Sequence, residues 1–199
     1  MKPILFYFDL SSPYAYLMAH RIDQLAARFD RDVEWHPIML GAVFKISGSS
    51  PLSSQPIKWE YAQMDLARMA RFMELPWTLP EPFPIAAIAS SRAFYWINDH
   101  DPLLAKRFAV ACLDTYFAEG RNIAKSEVLS DIVNNLGLDG DEMLRSIKDP
   151  VIKEKLKQET DSAIEIGVCG SPYIIIDGEP FWGADRLWMI RRWLQSGGW

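Results

Sequence analysis

The chain has 199 residues, of which 49% are hydrophobic and 24% charged, and its formal net charge at pH 7 is −5. This length suits either one large domain or a small domain that carries an insertion, and the apolar fraction is enough for a sizeable core. The negative charge argues against nucleic acid or an anionic membrane as a partner, because no overall positive field is present to collect phosphates.

The first elements along the chain form a β-α-β pattern. The apolar run over residues 4–8 predicts a buried strand. Ser12 is a good N-cap and Pro13 a good first helical residue, so that a helix is expected over residues 13–29. Residues 33–40 predict a second strand, and a crossover unit of this kind normally places its two strands parallel.

A mainly helical block follows the second strand. Residues 41–57 are rich in Gly, Ser and Pro and predict a loop long enough to suggest a functional role. Residues 75–84 carry four prolines and are expected to be extended. The spacing of apolar residues predicts helices over residues 57–73, 86–99, 102–118, 125–136, 140–147 and 149–167.

The chain closes with a hairpin pattern and a helix pattern. Residues 172–183 read PYIIIDGEPFWG, in which Asp177-Gly178 predicts a tight turn between two strands. Residues 184–195 predict an amphipathic helix. The end of the chain therefore supplies a β-β-α unit.

The order β-α-β, helical block, β-β-α predicts an α/β fold. Residues 1–45 and 168–199 are expected to form a discontinuous thioredoxin-like domain with a four-stranded sheet. Residues 46–167 are expected to form a loop and a large all-helical insertion.

The sequence offers little for metal or disulfide chemistry. Its two cysteines, Cys112 and Cys169, have neither CxxC nor metal-ligand spacing, and its three histidines are scattered. Both cysteines are expected to pack as small hydrophobes. Because neither a signal peptide nor an apolar run of membrane-spanning length is visible, we expect a cytoplasmic, metal-free protein with no membrane partner.

Four segments carry a resemblance to a known family: FYFDLSSPYAY, LGAVFKISG, PIKWEYAQMDLARMA and GSPYIIIDGEPFWGADRL. Together with the chain length, they resemble the 2-hydroxychromene-2-carboxylate isomerases, which belong with the kappa-class glutathione transferases in the DsbA-like branch of the thioredoxin superfamily. The resemblance covers essentially the whole chain. It implies a DsbA-like fold, glutathione as the cofactor and a homodimer.

The resemblance gives Ser12 the catalytic role. Redox relatives carry Cys-x-x-Cys at the N-terminus of this helix, and aligning Pro13 places Ser12 and Ala15 in the two cysteine positions. Disulfide exchange is therefore not expected here. The resemblance implies that the Ser12 hydroxyl donates to the thiolate of bound glutathione. The alternative is a plain N-cap, and Ser11 has at most a supporting role.

The resemblance assigns further glutathione contacts near the end of the chain. A cis Ser171-Pro172 bond would present the Ser171 backbone to the cysteinyl backbone of glutathione, whereas the alternative is an ordinary strand-entry proline. The turn formed by Trp182, Gly183, Ala184 and Asp185 would bind the γ-glutamyl end, or merely cap the last helix. Relatives often carry Asn in place of Ala184.

Two lysines are the basic candidates. Lys58 resembles a family lysine near the glycyl carboxylate of glutathione, and Lys45 resembles one near the carboxylate of the organic substrate. Either can instead be a surface lysine. Kappa relatives have Asn in place of Ser49. An apolar wall is expected from Pro82, Phe83 and Pro84.

Three functions fit these features. The leading hypothesis is a glutathione-dependent isomerase that converts 2-hydroxychromene-2-carboxylate to trans-o-hydroxybenzylidenepyruvate in naphthalene-type aromatic degradation, through thiolate addition and elimination. The alternative is a kappa-class-like glutathione S-transferase, which consumes glutathione. A third possibility is a noncatalytic thioredoxin-like binding or chaperone module that has kept a peptide groove.

Overall fold

The computed structural model describes residues 2–199 and is built on one four-stranded sheet. The strands are β1 (Ile4–Phe8), β2 (Val33–Pro37), β3 (Tyr173–Ile176) and β4 (Glu179–Trp182). The strand order is β2-β1-β3-β4, with β1 parallel to β2 and antiparallel to β3, and β3 antiparallel to β4. The parallel β1-β2 pair and the C-terminal hairpin are both as predicted.

Strand β1 is apolar because it is covered on both faces. Ile4, Phe6 and Phe8 are fully buried in the main core, and Tyr7 packs in a second cluster on the opposite face. The rings of Phe6 and Phe8 stack with centroids 4.8 Å apart. Alternating residues of this central strand thus anchor two separate apolar layers.

The expected helix over residues 13–29 is wrong in one respect, since the chain forms α1 (Pro13–Ala19) and α2 (Ile22–Ala27). Tertiary contacts stabilise the break between α1 and α2. The His20 ring lies 2.8 Å from a carboxylate oxygen of Asp114, and the Arg21 guanidinium donates to the carbonyl oxygen of Met73. Partners on the helical block therefore override the local helical pattern.

The loop predicted over residues 41–57 is also partly wrong, because α3 (Leu40–Ser47) occupies its first half. The predicted strand over residues 33–40 correspondingly ends at Pro37. Gly48, at φ +70°, ends α3 in the left-handed conformation that favours glycine. The part of this segment after Gly48 is rich in Ser and Pro and includes a short 3-10 helix (Leu52–Ser54).

The helical block matches the predicted helices closely. Residues 73–87 are extended or irregular between the first two of its helices. Aspartates cap three of its helices, and prolines stand in the first turn of three. The helices are α4 (Pro56–Phe72), α5 (Ile88–Asn98), α6 (Pro102–Phe117), α7 (Ser126–Asn135), α8 (Gly140–Ser146) and α9 (Pro150–Glu165).

The C-terminal unit follows the predicted hairpin and helix. Asp177 and Gly178 have φ of 54° and 94°, as a tight Asp-Gly hairpin turn requires. A 3-10 turn (Ala184–Arg186) leads into α10 (Leu187–Ser196), so the terminal helix starts slightly later than predicted. The predicted α/β arrangement is confirmed. The division into a discontinuous domain of residues 1–45 and 168–199 and an insertion of residues 46–167 stays a prediction.

One buried cluster joins the sheet to the helical block. Phe8 of β1 meets Phe94 of α5 edge to face at 6.1 Å between ring centroids. Cys112 is fully buried in this cluster, as expected, whereas Cys169 is only half-buried. None of the helices among residues 2–199 combines the length and apolarity needed to span a membrane.

Candidate functional site

A groove of about 1460 Å³ lies where the end of β1 meets α1, α3, α4 and the turn after β4. It brings together residues that are far apart in sequence. Pro172 is buried just behind the groove rather than on its wall. The sequence-predicted residues that line the groove are Ser12, Lys45, Ser49, Lys58, Phe83, Pro84, Ser171, Trp182, Gly183, Ala184 and Asp185.

Ser12 stands at the base of the groove and caps α1. Its residue is 5% exposed, and its Oγ accepts a hydrogen bond from the Ala15 N–H at 3.3 Å. The same hydroxyl donates to the carbonyl oxygen of Ser171 at 3.0 Å. The oxygen of this hydroxyl thus caps α1 while its proton is donated to Ser171, so a ligand would compete for the proton without disturbing the cap.

The Ser171-Pro172 peptide bond is cis, as the resemblance implies. The Ser171 hydroxyl accepts from the backbone N–H of Asp9 at 2.9 Å, and the Pro172 carbonyl accepts from the Gly183 N–H at 3.1 Å. This loop therefore connects the end of β1 with the turn after β4. Each of these two segments is thus hydrogen-bonded to the cis-proline loop.

The turn after β4 forms one end of the groove. Trp182 is 57% exposed, and its indole lies directly over Gly170, where a Cβ would come within 2.4 Å of Nε1. Gly183 has φ +111°, which a side chain would strain. Ala184 is buried in the core, so only its backbone can serve a ligand. Asp185 is exposed and pairs with Arg186 at 2.7 Å.

Lys45 and Lys58 stand on the wall made by α3 and α4. Lys45 lies in the last turn of α3 and Lys58 in the first turn of α4, and both are exposed. Neither ammonium forms an ion pair within the part of the chain that the structure describes. Both are thus available to anions that enter the groove.

Asp9 is a groove residue that the sequence interpretation missed. It is 6% exposed, and its carboxylate accepts hydrogen bonds from Ser11 and from the Leu40 N–H. Burial raises the pKa of this carboxyl, and the hydrogen bonds from Ser11 and Leu40 oppose the rise. An acid placed directly after a buried strand was the available sequence signal.

Tyr14 and Asp65 form a second pair that was missed. The Tyr14 hydroxyl donates to Oδ2 of Asp65 at 3.2 Å, across the groove from α1 to α4. Burial, followed by the Asp65 charge, raises the pKa of Tyr14. Asp65 follows Lys58 by seven residues, and this spacing places both on one face of α4.

The other end of the groove is apolar. Trp59 and Phe83 stack with centroids 5.2 Å apart and rings inclined by 8°. Phe83 and Pro84 line the groove as expected, whereas Pro82 is directed elsewhere and its carbonyl accepts from the Tyr116 hydroxyl. Further apolar lining comes from Leu66, Met69, Ile85 and Ile88.

A second concavity and the search for metal ligands do not compete with this groove. A concavity of about 710 Å³ beside α9 is lined by that one helix and gathers none of the predicted site residues. Within residues 2–199, no group of three or more His, Cys, Asp or Glu side chains is arranged to hold a metal. The groove at Ser12 is therefore the candidate site.

Comparisons with known proteins identify the family and its named relatives. A family model described as a DSBA-like thioredoxin domain matches residues 3–195. The 2-hydroxychromene-2-carboxylate isomerase of Sphingobium xenophagum is 28% identical over 195 residues, covering 97% of this chain and 98% of the relative. Glutathione S-transferase kappa 1 of Caenorhabditis elegans is 25% identical over 203 residues, covering 96% and 90%. A solved structure of 2-hydroxychromene-2-carboxylate isomerase superposes with a TM-score of 0.89 at 23% identity, covering 98% and 95%, and so shares the fold.

Proposed function

The chain belongs to the family of DSBA-like thioredoxin domains, and within this family we propose that it is a glutathione-dependent isomerase. The proposed reaction converts 2-hydroxychromene-2-carboxylate to trans-o-hydroxybenzylidenepyruvate in aromatic degradation. The observation that carries the proposal is the groove at Ser12, where a hydroxyl at the start of α1 donates to the Ser171 carbonyl oxygen of the cis-proline loop. Relatives named for this isomerase extend along nearly the whole chain.

The groups in the groove fit glutathione, which has two carboxylates, one ammonium and one thiol. We assign Lys58 to the glycyl carboxylate, and the turn from Trp182 to Asp185 to the γ-glutamyl end, with Asp185 facing the ammonium. The backbone of Ser171 is assigned to the cysteinyl unit, with Pro172 holding that backbone from behind. The groove volume of about 1460 Å³ leaves room for a second ligand.

When bound, glutathione supplies a thiolate that adds to a conjugated carbon of the substrate and leaves again, so that glutathione is recovered. Ser12 is proposed to stabilise this anion through its hydroxyl. A free cysteine thiol has a pKa of about 8.5 and is mostly protonated at neutral pH. A tenfold gain in thiolate needs about 1.4 kcal/mol, which one charge-assisted hydrogen bond can supply.

The remaining space is assigned to an aromatic carboxylate. Trp59 and Phe83 offer flat apolar surface to its ring. Lys45, in the last turn of α3, is assigned to its carboxylate. These contacts would orient the substrate and exclude water from the reacting carbon.

A kappa-class-like transferase is the second candidate, favoured by kappa relatives that match more than nine-tenths of the chain. It would use the same residues but lose glutathione to the product. The experiment is an assay of the purified protein with 2-hydroxychromene-2-carboxylate and, separately, with an aromatic electrophile. Isomer formation with full recovery of glutathione supports the isomerase, whereas a stoichiometric loss of glutathione supports the transferase.

The third candidate is a noncatalytic binding module. Glutathione binding without turnover in either assay would support it, and absence of binding at millimolar glutathione would contradict both enzymes. We also propose a homodimer, for which the exposed apolar side chains of α4, Ile57, Tyr61, Met64 and Phe72, offer surface. Sedimentation equilibrium tests this proposal directly.

A further inference from the structure

Asp9 connects the base of the groove to one of its walls through its two carboxylate oxygens. Oδ1 accepts from the N–H of Ser11 at 2.8 Å and from its hydroxyl at 2.6 Å. Oδ2 accepts from the N–H of Leu40 at 2.8 Å. One oxygen therefore holds the turn that carries Ser12, and the other holds the first residue of α3, the helix that carries Lys45.

The backbone of Asp9 makes two further contacts with the same site. Its N–H donates to the hydroxyl of Ser171 at 2.9 Å, and its carbonyl oxygen accepts from the N–H of Ser12 at 2.9 Å. Asp9 is thus in direct hydrogen-bond contact with the Ser11–Ser12 turn, with α3 and with the cis-proline loop. These contacts leave little freedom in the spacing between the Ser12 hydroxyl and α3.

We propose that Asp9 is the positioning residue of the groove, and that Ser11 is its partner. Asp9 sets where the Ser12 hydroxyl lies relative to the wall that carries Lys45, without touching the reacting atoms itself. This inference rests on the proposed function, because the hydroxyl so positioned is the one assigned to the glutathione thiolate.

The contact pattern requires a carboxylate rather than an amide. Backbone N–H groups face both side-chain oxygens, and both are donors only. An Asn side chain would turn its own NH2 toward either Ser11 or Leu40 and lose that hydrogen bond. In a site that is 6% exposed, the lost contact is not replaced by bulk water.

The test compares Asp9→Asn, Ser11→Ala and Ser11→Thr with a matched control, Thr160→Val. Thr160 is fully buried on α9, and its Oγ1 accepts from the N–H of Met39, the residue before Leu40. The control removes a hydrogen bond at the same end of α3 but leaves the Ser11–Ser12 turn untouched. Glutathione affinity is measured by calorimetry, and amide hydrogen exchange is followed at Ser11, Met39 and Leu40.

Asp9→Asn is expected to weaken glutathione binding about tenfold, the effect of about 1.4 kcal/mol, and to speed exchange at Ser11 or Leu40 at least tenfold. Ser11→Ala should weaken binding about threefold, the effect of about 0.6 kcal/mol, and Ser11→Thr, which keeps the hydroxyl, should restore it. Thr160→Val should speed exchange at Met39 but change the affinity less than twofold.

Failure of the inference and failure of the proposed function are distinguishable. If the unmodified protein binds glutathione and Asp9→Asn binds it equally well, Asp9 does not position the site, even where its amide partners exchange faster. Equal losses in Ser11→Ala and Ser11→Thr would also overturn the inference, because the hydroxyl would then have no role. An unmodified protein that does not bind glutathione overturns the proposed function, and this inference with it.

Discussion

The hydroxyl of Ser12 donates to the carbonyl oxygen of Ser171 across the base of the groove, at 3.0 Å. This single contact joins the helix cap to the cis-proline loop. A ligand thiolate that accepts a hydrogen bond from the Ser12 hydroxyl would release the Ser171 carbonyl at the same time. The released carbonyl is then available to the backbone N–H of the ligand's cysteinyl unit, so the two residues can change partners together.

Substitution of Gly170 by Ala is expected to weaken glutathione binding. The added Cβ would come within 2.4 Å of Nε1 of Trp182, so the indole at the end of the groove must move. Gly41→Ala is the matched control, since Gly41 also lines the groove but a Cβ added there would meet no atom within 4 Å. Calorimetry should show a loss of glutathione affinity only in Gly170→Ala. Equal affinities in the two variants would mean that Trp182 is not part of the glutathione site.

The two lysines are expected to bind different ligands. Lys58→Gln should weaken glutathione binding about two- to fivefold, as for an exposed ion pair, whereas Lys45→Gln should raise the KM for the carboxylate substrate by a similar factor. Both effects should shrink at high salt because both side chains are exposed. Lys153→Gln, on the exposed face of α9, is the control. Interchanged effects would reverse the two assignments.

Asp185 is expected to recognise the ammonium of glutathione. Asp185→Asn should lower glutathione affinity about two- to fivefold, in the range of an exposed ion pair. The deaminated analogue of glutathione should bind equally to both proteins. This double-mutant cycle isolates the pair. Equal losses for glutathione and for the analogue would place the ammonium elsewhere.

A pH-dependent contribution to stability is expected from Glu159. Its carboxylate lies 3.2 Å from Nδ1 of His36, and the hydrogen bond from His36 lowers the pKa of Glu159. A lowered folded-state pKa stabilises the fold above the unfolded value of 4.5, and this gain is lost as pH falls through the folded-state value.

Glu159→Gln should therefore lower the free energy of unfolding at neutral pH. The loss should not exceed about 1 kcal/mol, because the side chain is partly exposed and solvent screens the pair. The difference from the unmodified protein should vanish in acid. Urea unfolding across the acid range measures it. Glu34→Gln is the control, since its carboxylate lies 3.7 Å from His36 and is 57% exposed. A difference that stays constant with pH would contradict the linkage.

The sheet was predictable from the sequence because its strands are marked by local features. The run over residues 4–8 is continuous and apolar, and Asp177-Gly178 fixes the hairpin. Helix α3 was missed because its cap is not local. The carboxylate that accepts from Leu40 belongs to Asp9, which directly follows β1. The break after Ala19 was missed for the same reason, since its partners, Asp114 and Met73, are distant in sequence.

The groove was predictable only where a motif marks it. The position of Ser12 before a proline, and the GSP string ending at Pro172, carried the resemblance. Asp65 lies in a segment that carries the resemblance, but its contact with the Tyr14 hydroxyl of another helix has no local mark in the sequence. The apolar end likewise depends on Trp59 meeting Phe83 across an irregular segment. Pairings of this kind become visible only when the chain is folded.

The most direct test of the central claim follows the ultraviolet absorbance of the glutathione thiolate as a function of pH, in complexes with the unmodified protein and with Ser12→Ala. Asp101→Ala, which removes the N-cap of α6 far from the groove, controls for the loss of a cap, worth about 1 kcal/mol of stability.

We expect the bound thiol to titrate below the ordinary value of about 8.5 in the unmodified protein and in Asp101→Ala. In Ser12→Ala the midpoint should rise by about one pH unit, the effect of losing about 1.4 kcal/mol. The same midpoint in all three proteins, or no thiolate signal at millimolar glutathione, would contradict the proposed role of Ser12.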